Sequence, residues 1–202
     1  MYRKLECEEL RMAGFDPKRY GETIADLLLP ARIPPLDPGR PNQSARASLH
    51  ALAEDTNFLG KPIRDRQMAD ACRAGLWLYH DFLDESHSIS QEIHNTAGSY
   101  WHGMMHRREP DYANSGYWFR KVGKFATFDE LAEAARQIVG DSNAIWASFL
   151  KNNSKWDPYA FNDLCENALS GRVNAINLCQ QIQQREWELL FDYCYRAATG
   201  YE

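Results

Sequence analysis

Five of the chain's six histidines, His80, His87, His94, His102 and His106, fall between residues 80 and 106, and Arg107, Arg108 and Glu109 follow at once. Imidazole binds transition metals, carries protons near neutral pH and contacts anions, so this stretch is where chemistry would sit. His80, Asp84, His87 and Gln91 are spaced four, three and four residues apart. On a helix turning ~100° per residue they form one polar stripe. His80, Asp84 and His87 would then offer a metal three ligands from one helix. His102, four residues before His106, would supply another from the next helix. Facing helices with histidine pairs and a carboxylate suit zinc, iron or manganese. His106 and Glu109 are the expected proton-transfer pair. Trp101 and Tyr112 offer flat faces to a sugar ring, and the guanidinium forks of Arg107, Arg108 and Arg120 suit a carboxylate or phosphate. The expected site is a His-, Arg- and Glu-lined pocket between two helices for an anionic or sugar-like small molecule. A divalent metal is the cofactor to test for.

Each residue also has a plainer reading. Histidines at helix boundaries often bond a carbonyl or carboxylate and do nothing more, and Trp101, Tyr117, Trp118 and Phe119 read singly as core. The His-Glu-x-x-His signature of zinc proteases is absent, and so is the repeated Glu-x-x-His of di-iron bundles. His80-Asp81 alone does not specify a phosphohydrolase. No pattern names a reaction. The competing reading is a non-catalytic interaction module, because Trp, Tyr and Arg are also the usual interface anchors.

The elements that must position these residues are helical. Strand signals are poor, with no sustained alternation and few β-branched residues. The spacing predicts an all-α, single-domain bundle of six to eight helices over residues 44–202, preceded by an irregular, extended arm at 1–43. Four prolines between Pro30 and Pro38 preclude a regular helix there. The arm could wrap its own chain or a neighbour. Short helices are expected near Tyr20–Leu28 and Ala45–Glu54. A long one runs from about Ile63 to Gln91, with Leu76, Tyr79 and Leu83 in the core. Helices near Ser99–His106 and Asn114–Val122 follow. A capping box at Thr127 opens another to Val139, and Asp157-Pro158 opens one ending near Ser170. The last reaches Ala198, burying Ile182 and Leu190. The turn after Gln91 should send the next helix back antiparallel on the long one, bringing His80 towards His106 across one cleft.

Composition limits the function classes. The chain has 202 residues, 44% hydrophobic and 25% charged, and a net charge of −5. That is ordinary for one globular domain and argues against nucleic acid or an anionic membrane surface as partner. Residues 101–125 form a basic island of net +3 directly after the histidines. The five cysteines are scattered without a CxxC pair, which points to a reduced, cytoplasmic protein with Cys72, Cys165 and Cys179 as small core residues. No apolar run approaches the ~20 residues of a membrane helix, and the charged start MYRKLECEEL does not read as a signal peptide. A homo-oligomer is compatible with all of this.

Two resemblances add to this reading. The block YWHGMMHRREPDYANSGYWFRKVG, with LDESHSIS before it and WDPYAFNDLCE after it, resembles a family of bacterial helical proteins carrying similar text over most of this length. That resemblance implies no particular activity. The spacing of Gly103, Asp111, Tyr112, Ser115 and Phe119 is similar to one tetratricopeptide or Sel1-like helix hairpin. It implies a local helix-turn-helix, with Gly letting the helices approach and a small residue at the crossing. His102 and His106 stand where that pattern has Leu and Tyr, Pro110 replaces a turn glycine, and no second copy follows at the 34-residue repeat distance.

Overall fold

The computed structural model describes residues 14–142, 144–153 and 155–201. Among these there are ten α-helices and no strand. They are α1 (Glu22–Leu28), α2 (Arg46–Ala51), α3 (Arg66–Tyr79), α4 (Leu83–Ser90), α5 (Thr96–Arg108), α6 (Tyr112–Val122), α7 (Phe128–Val139), α8 (Ser148–Asn152), α9 (Pro158–Leu169) and α10 (Ile176–Thr199). The bundle is all-α, as the spacing predicts. The expected starts at Thr127 and Asp157 are the observed N-caps of α7 and α9. Asp157 accepts from the amides of Tyr159 and Ala160, at 2.9 and 3.1 Å. Thr127 makes no side-chain capping bond. The short α8 has no counterpart in the sequence reading; at five residues it is too brief to show a periodicity.

The long helix expected over 63–91 is two helices. α3 ends at Tyr79, and Asp81 takes a left-handed conformation, φ 63°. The amide of Phe82 bonds the Trp77 carbonyl at 3.0 Å, and that of Asp81 bonds the Leu78 carbonyl at 3.1 Å. This is a Schellman ending with aspartate at the position glycine usually fills. Asp tolerates that region better than most residues, and here its carboxylate has two cationic partners, Arg32 and Arg108. Chain direction changes there, and α4 leaves on a new axis.

The core forms where α3, α5 and α10 cross. Gly75 permits the approach: a Cβ there would stand 2.7 Å from the Trp101 indole, and the Trp187 indole donates to the Gly75 carbonyl at 2.8 Å. Leu76, Tyr79, Leu83, Ile182 and Leu190 are all buried, as are Cys72, Cys165, Cys179 and Cys194; Cys7 lies outside the described residues. The described part of the arm, residues 14–43, joins the same core through Tyr20, Ile24, Leu28 and Leu36. It packs on its own chain: the Asn42 amide bonds the His80 carbonyl at 3.0 Å, and Gln183 Nε2 bonds the Pro35 carbonyl at 3.0 Å. No described helix is long and apolar enough to cross a membrane.

Asp81→Ala should cost about 3–5 kcal/mol, because it leaves the buried Arg108 charge uncompensated. Asp81→Asn keeps the left-handed tolerance and should lose most of the same stability. Urea unfolding of both variants checks this, and a loss below ~1 kcal/mol in Asp81→Asn would show that the ion pair is not the anchor.

Candidate metal centre

α4 and α5 are joined by a tight turn. Asn95 caps α5 by accepting from the Gly98 amide at 3.0 Å, and a Cβ at Gly98 would meet the Ile93 carbonyl at 2.4 Å. Only glycine fits that approach. The turn sets His87, on α4, against His102 and His106, which lie one helical turn apart on α5. Ring centroids are 4.5 Å apart for His87–His102, 4.8 Å for His102–His106 and 5.4 Å for His87–His106. One ligand nitrogen from each can be chosen so that all three lie within 4.8 Å of one another. Neighbouring ligands of a tetrahedral zinc stand about 3.4 Å apart, so the rings close on an ion by drawing in about an ångström. His87, the most exposed of the three, sits on the short helix α4.

The hydrogen bonds fix the tautomers. His106 Nδ1 is 2.9 Å from Glu109 Oε2, and a carboxylate only accepts, so Nδ1 carries the proton. Ser90 Oγ donates to the His87 carbonyl at 3.2 Å. It must therefore accept from His102 Nδ1, 3.3 Å away. Both histidines thus carry the proton on Nδ1 and leave Nε2 deprotonated, able to ligate an ion. An outer partner on Nδ1 is the arrangement that orients metal-bound imidazoles. Both are held neutral. Burial, then the neighbouring His106 and His87 and the Lys121 ammonium, push the His102 pKa down to about 3. Burial also lowers that of His106, against the opposing pull of Glu109. The Trp118 indole stacks on His102 at 3.9 Å, and Lys121 Nζ stands 4.1 Å from the same indole.

The remaining residues singled out in the sequence lie elsewhere. His80 is outside the triad. It caps the end of α3, with Nδ1 3.0 Å from Asn42 Nδ2, and lines a hollow beside the arm with Arg40, Asn42 and Ser44. Asp84 is exposed on the first turn of α4 and is not among the clustered ligand groups. The single stripe of His80, Asp84 and His87 is broken by the change of axis at Asp81. His94 is exposed in the turn. Trp101 and Arg107 are fully buried and Arg108 nearly so, which removes them from contact with any ligand in this conformation. Arg107 pairs with Glu186, which also accepts from Tyr100 Oη at 3.0 Å. Arg108 donates to Asp81 Oδ1 at 2.6 Å and to the Leu78 carbonyl at 2.9 Å. The half-buried Tyr112 has its pKa pushed up to about 12 by burial. Arg120 is exposed, 5.7 Å from the Tyr117 ring.

Ser90, Asn114, Trp118 and Lys121 were not singled out as site residues. Two of them carry a signal in hindsight. In an antiparallel hairpin folded about Pro110, residues equally far from it face each other, which pairs His106 with Asn114 and His102 with Trp118. α5 and α6 form that hairpin: Ser115 Oγ donates to the Gly103 carbonyl at 2.8 Å, and a Cβ at Gly103 would meet the Phe119 ring at 3.1 Å. Comparison with the profiles of known families, with curated proteins and with solved structures finds no match to this chain.

His80 gives a pH prediction. Burial, then Arg32, lower its pKa to about 4, against the Leu27 carbonyl and Asp81. The unfolded chain binds the proton near pH 6.5 and the folded chain does not, so stability is full above that pH and declines as pH falls towards 4. The metal-free chain should melt at progressively lower temperature over that interval, and His80→Gln should flatten the slope. An unchanged slope in the variant would mean that His80 is not held neutral.

Proposed function

We propose that this chain is a metalloprotein whose functional centre is His87, His102 and His106, binding one divalent transition-metal ion through imidazole nitrogens. The supporting observation is the convergence of three ligand nitrogens within 4.8 Å on helices that share no sequence stripe. Three neutral imidazoles with no thiolate suit zinc, copper, cobalt or nickel, and they disfavour manganese and magnesium, which seek oxygen. Three protein ligands leave a position for water or an outer ligand, as in catalytic rather than structural zinc sites. The chemistry that follows is Lewis-acid activation of a water, or of a carbonyl or phosphoryl oxygen. Within it His106 is a ligand and Glu109 its positioning residue, holding Nδ1–H and so aiming Nε2. The ligand is a small anion. Its recognition falls to the ion and the polar groups around it, because Arg107 and Arg108 are committed to buried ion pairs. An interaction module has less support, since Trp101 and Phe119 are buried in the core and cannot anchor a partner.

Elemental analysis of the untagged chain after zinc loading should find about one ion per molecule. His102→Ala and His106→Ala should each bring this to background with unchanged helical content, while His80→Ala and Asp84→Ala should keep the ion. Glu109→Gln should weaken zinc binding about tenfold or more. A wild-type chain that takes up neither zinc nor copper would refute the centre and leave the His106–Glu109 pair as a metal-free acid–base group.

A further inference from the structure

Asn114 lies in the first turn of α6. Its backbone amide is taken by the Asp111 cap at 3.1 Å. Its side-chain Nδ2 stands 3.0 Å from Nε2 and 3.5 Å from Nδ1 of His106, and it makes no other hydrogen bond among the described residues. An atom on the Nε2 lone-pair axis at that distance would be about 5 Å from Nδ1, given the shape of the imidazole ring. The carboxamide therefore sits beside the ring, and the lone-pair axis is clear of it. The Nε2 lone pair is therefore free for an ion, and this off-axis N–H has only a poorly aimed acceptor in the ring. A half-buried donor left unpaired is unfavourable, so it needs a new one.

We infer that Asn114 is the outer-sphere donor of the centre: it hydrogen-bonds a small anionic ligand held in the open position, and it does not bind the ion itself. The inference rests on the three-histidine reading. Neighbouring ligand atoms of a tetrahedral ion are about 3.4 Å apart, and a donor 3.0 Å from one ligating nitrogen and off its lone-pair axis meets an atom bound on its own side of the ion. The ligand must accept from an N–H and bind a cation whose charge three neutral imidazoles leave intact. Both demands favour an anion: a carboxylate, a phosphate oxygen or hydroxide. Lys121 does not take this role, because its side chain is exposed and its ammonium packs over the Trp118 and Tyr117 rings. Asn114 thus separates capture of the ligand from capture of the ion.

The test loads the untagged chain with copper(II) and titrates azide, following the copper–azide charge-transfer band. Asn114→Ala should raise the azide dissociation constant on the order of tenfold, the worth of one hydrogen bond to an anion. Copper affinity should change less than about twofold, with circular dichroism unchanged. Asn114→Asp should weaken azide further by charge repulsion while tightening copper. Unchanged azide affinity in Asn114→Ala overturns this inference alone. A large loss of copper affinity in the same variant also overturns it, by making Asn114 a ligand of the ion. A wild-type chain that takes up no copper overturns the three-histidine centre itself.

Discussion

The buried guanidinium of Arg108 is the constraint around which the site is organised. A charge taken from water costs several kcal/mol unless its donors are met, and here the partners come from two other parts of the chain, residues 37–38 and 78–81. Nη1 bonds the Leu78 carbonyl, Nη2 bonds Asp81, and Nε and Nη2 reach the Asp37 carbonyl at 3.2 and 3.1 Å. Arg32 takes the other Asp81 oxygen. The end of α5, the break after α3 and the Pro-rich arm are thereby joined at one point. The break at Asp81 turns α4 away from the α3 axis, and that turn brings His87, not His80, to α5. The histidine cluster on α4 and α5 follows from an ion pair that never touches it.

α5 carries an unusual load. Twelve of its thirteen residues are buried, including two arginines and two histidines, so it has no solvent face to balance an apolar one. One side packs Trp101 against Gly75, and another sends Arg107 to Glu186. Tyr100 bonds the same carboxylate and lies among Phe119, Phe125 and Phe128. The last side presents His102 and His106. A helix clamped on every side holds its side chains in place before any ion arrives, which is what a coordination site requires. His87, on the short α4, is the one member of the cluster that is only half-buried.

The two arginines beside the histidines show how one residue type can be read two ways. Arg107 and Arg108 look like an anion-binding pair in the sequence, and the basic island there is real. Burial reassigns them to scaffolding, where each meets a buried carboxylate. The dry reading is the right one for Trp101 as well, but the nearby His102 and His106 cluster with His87.

The sequence by itself determined the helical class, most helix starts, the buried face of α3 and α10, and the stretch that holds the centre. These depend on local matters: a 3.6-residue period, the capping chemistry of Asp157, the proline-rich arm, the density of histidine. Tertiary structure decided which histidines meet. The continuous period from Leu76 to Leu83 survives the break because Asp81 inserts a left-handed turn without disturbing the apolar pattern, so spacing alone reads one helix where there are two. Whether Arg108 faces a ligand or a carboxylate depends on Asp37, Leu78 and Asp81, which are remote from it in the chain. Only the packing of α5 against the arm and the α3 end brings those acceptors to the guanidinium, and with them fixes His87, His102 and His106 in one place.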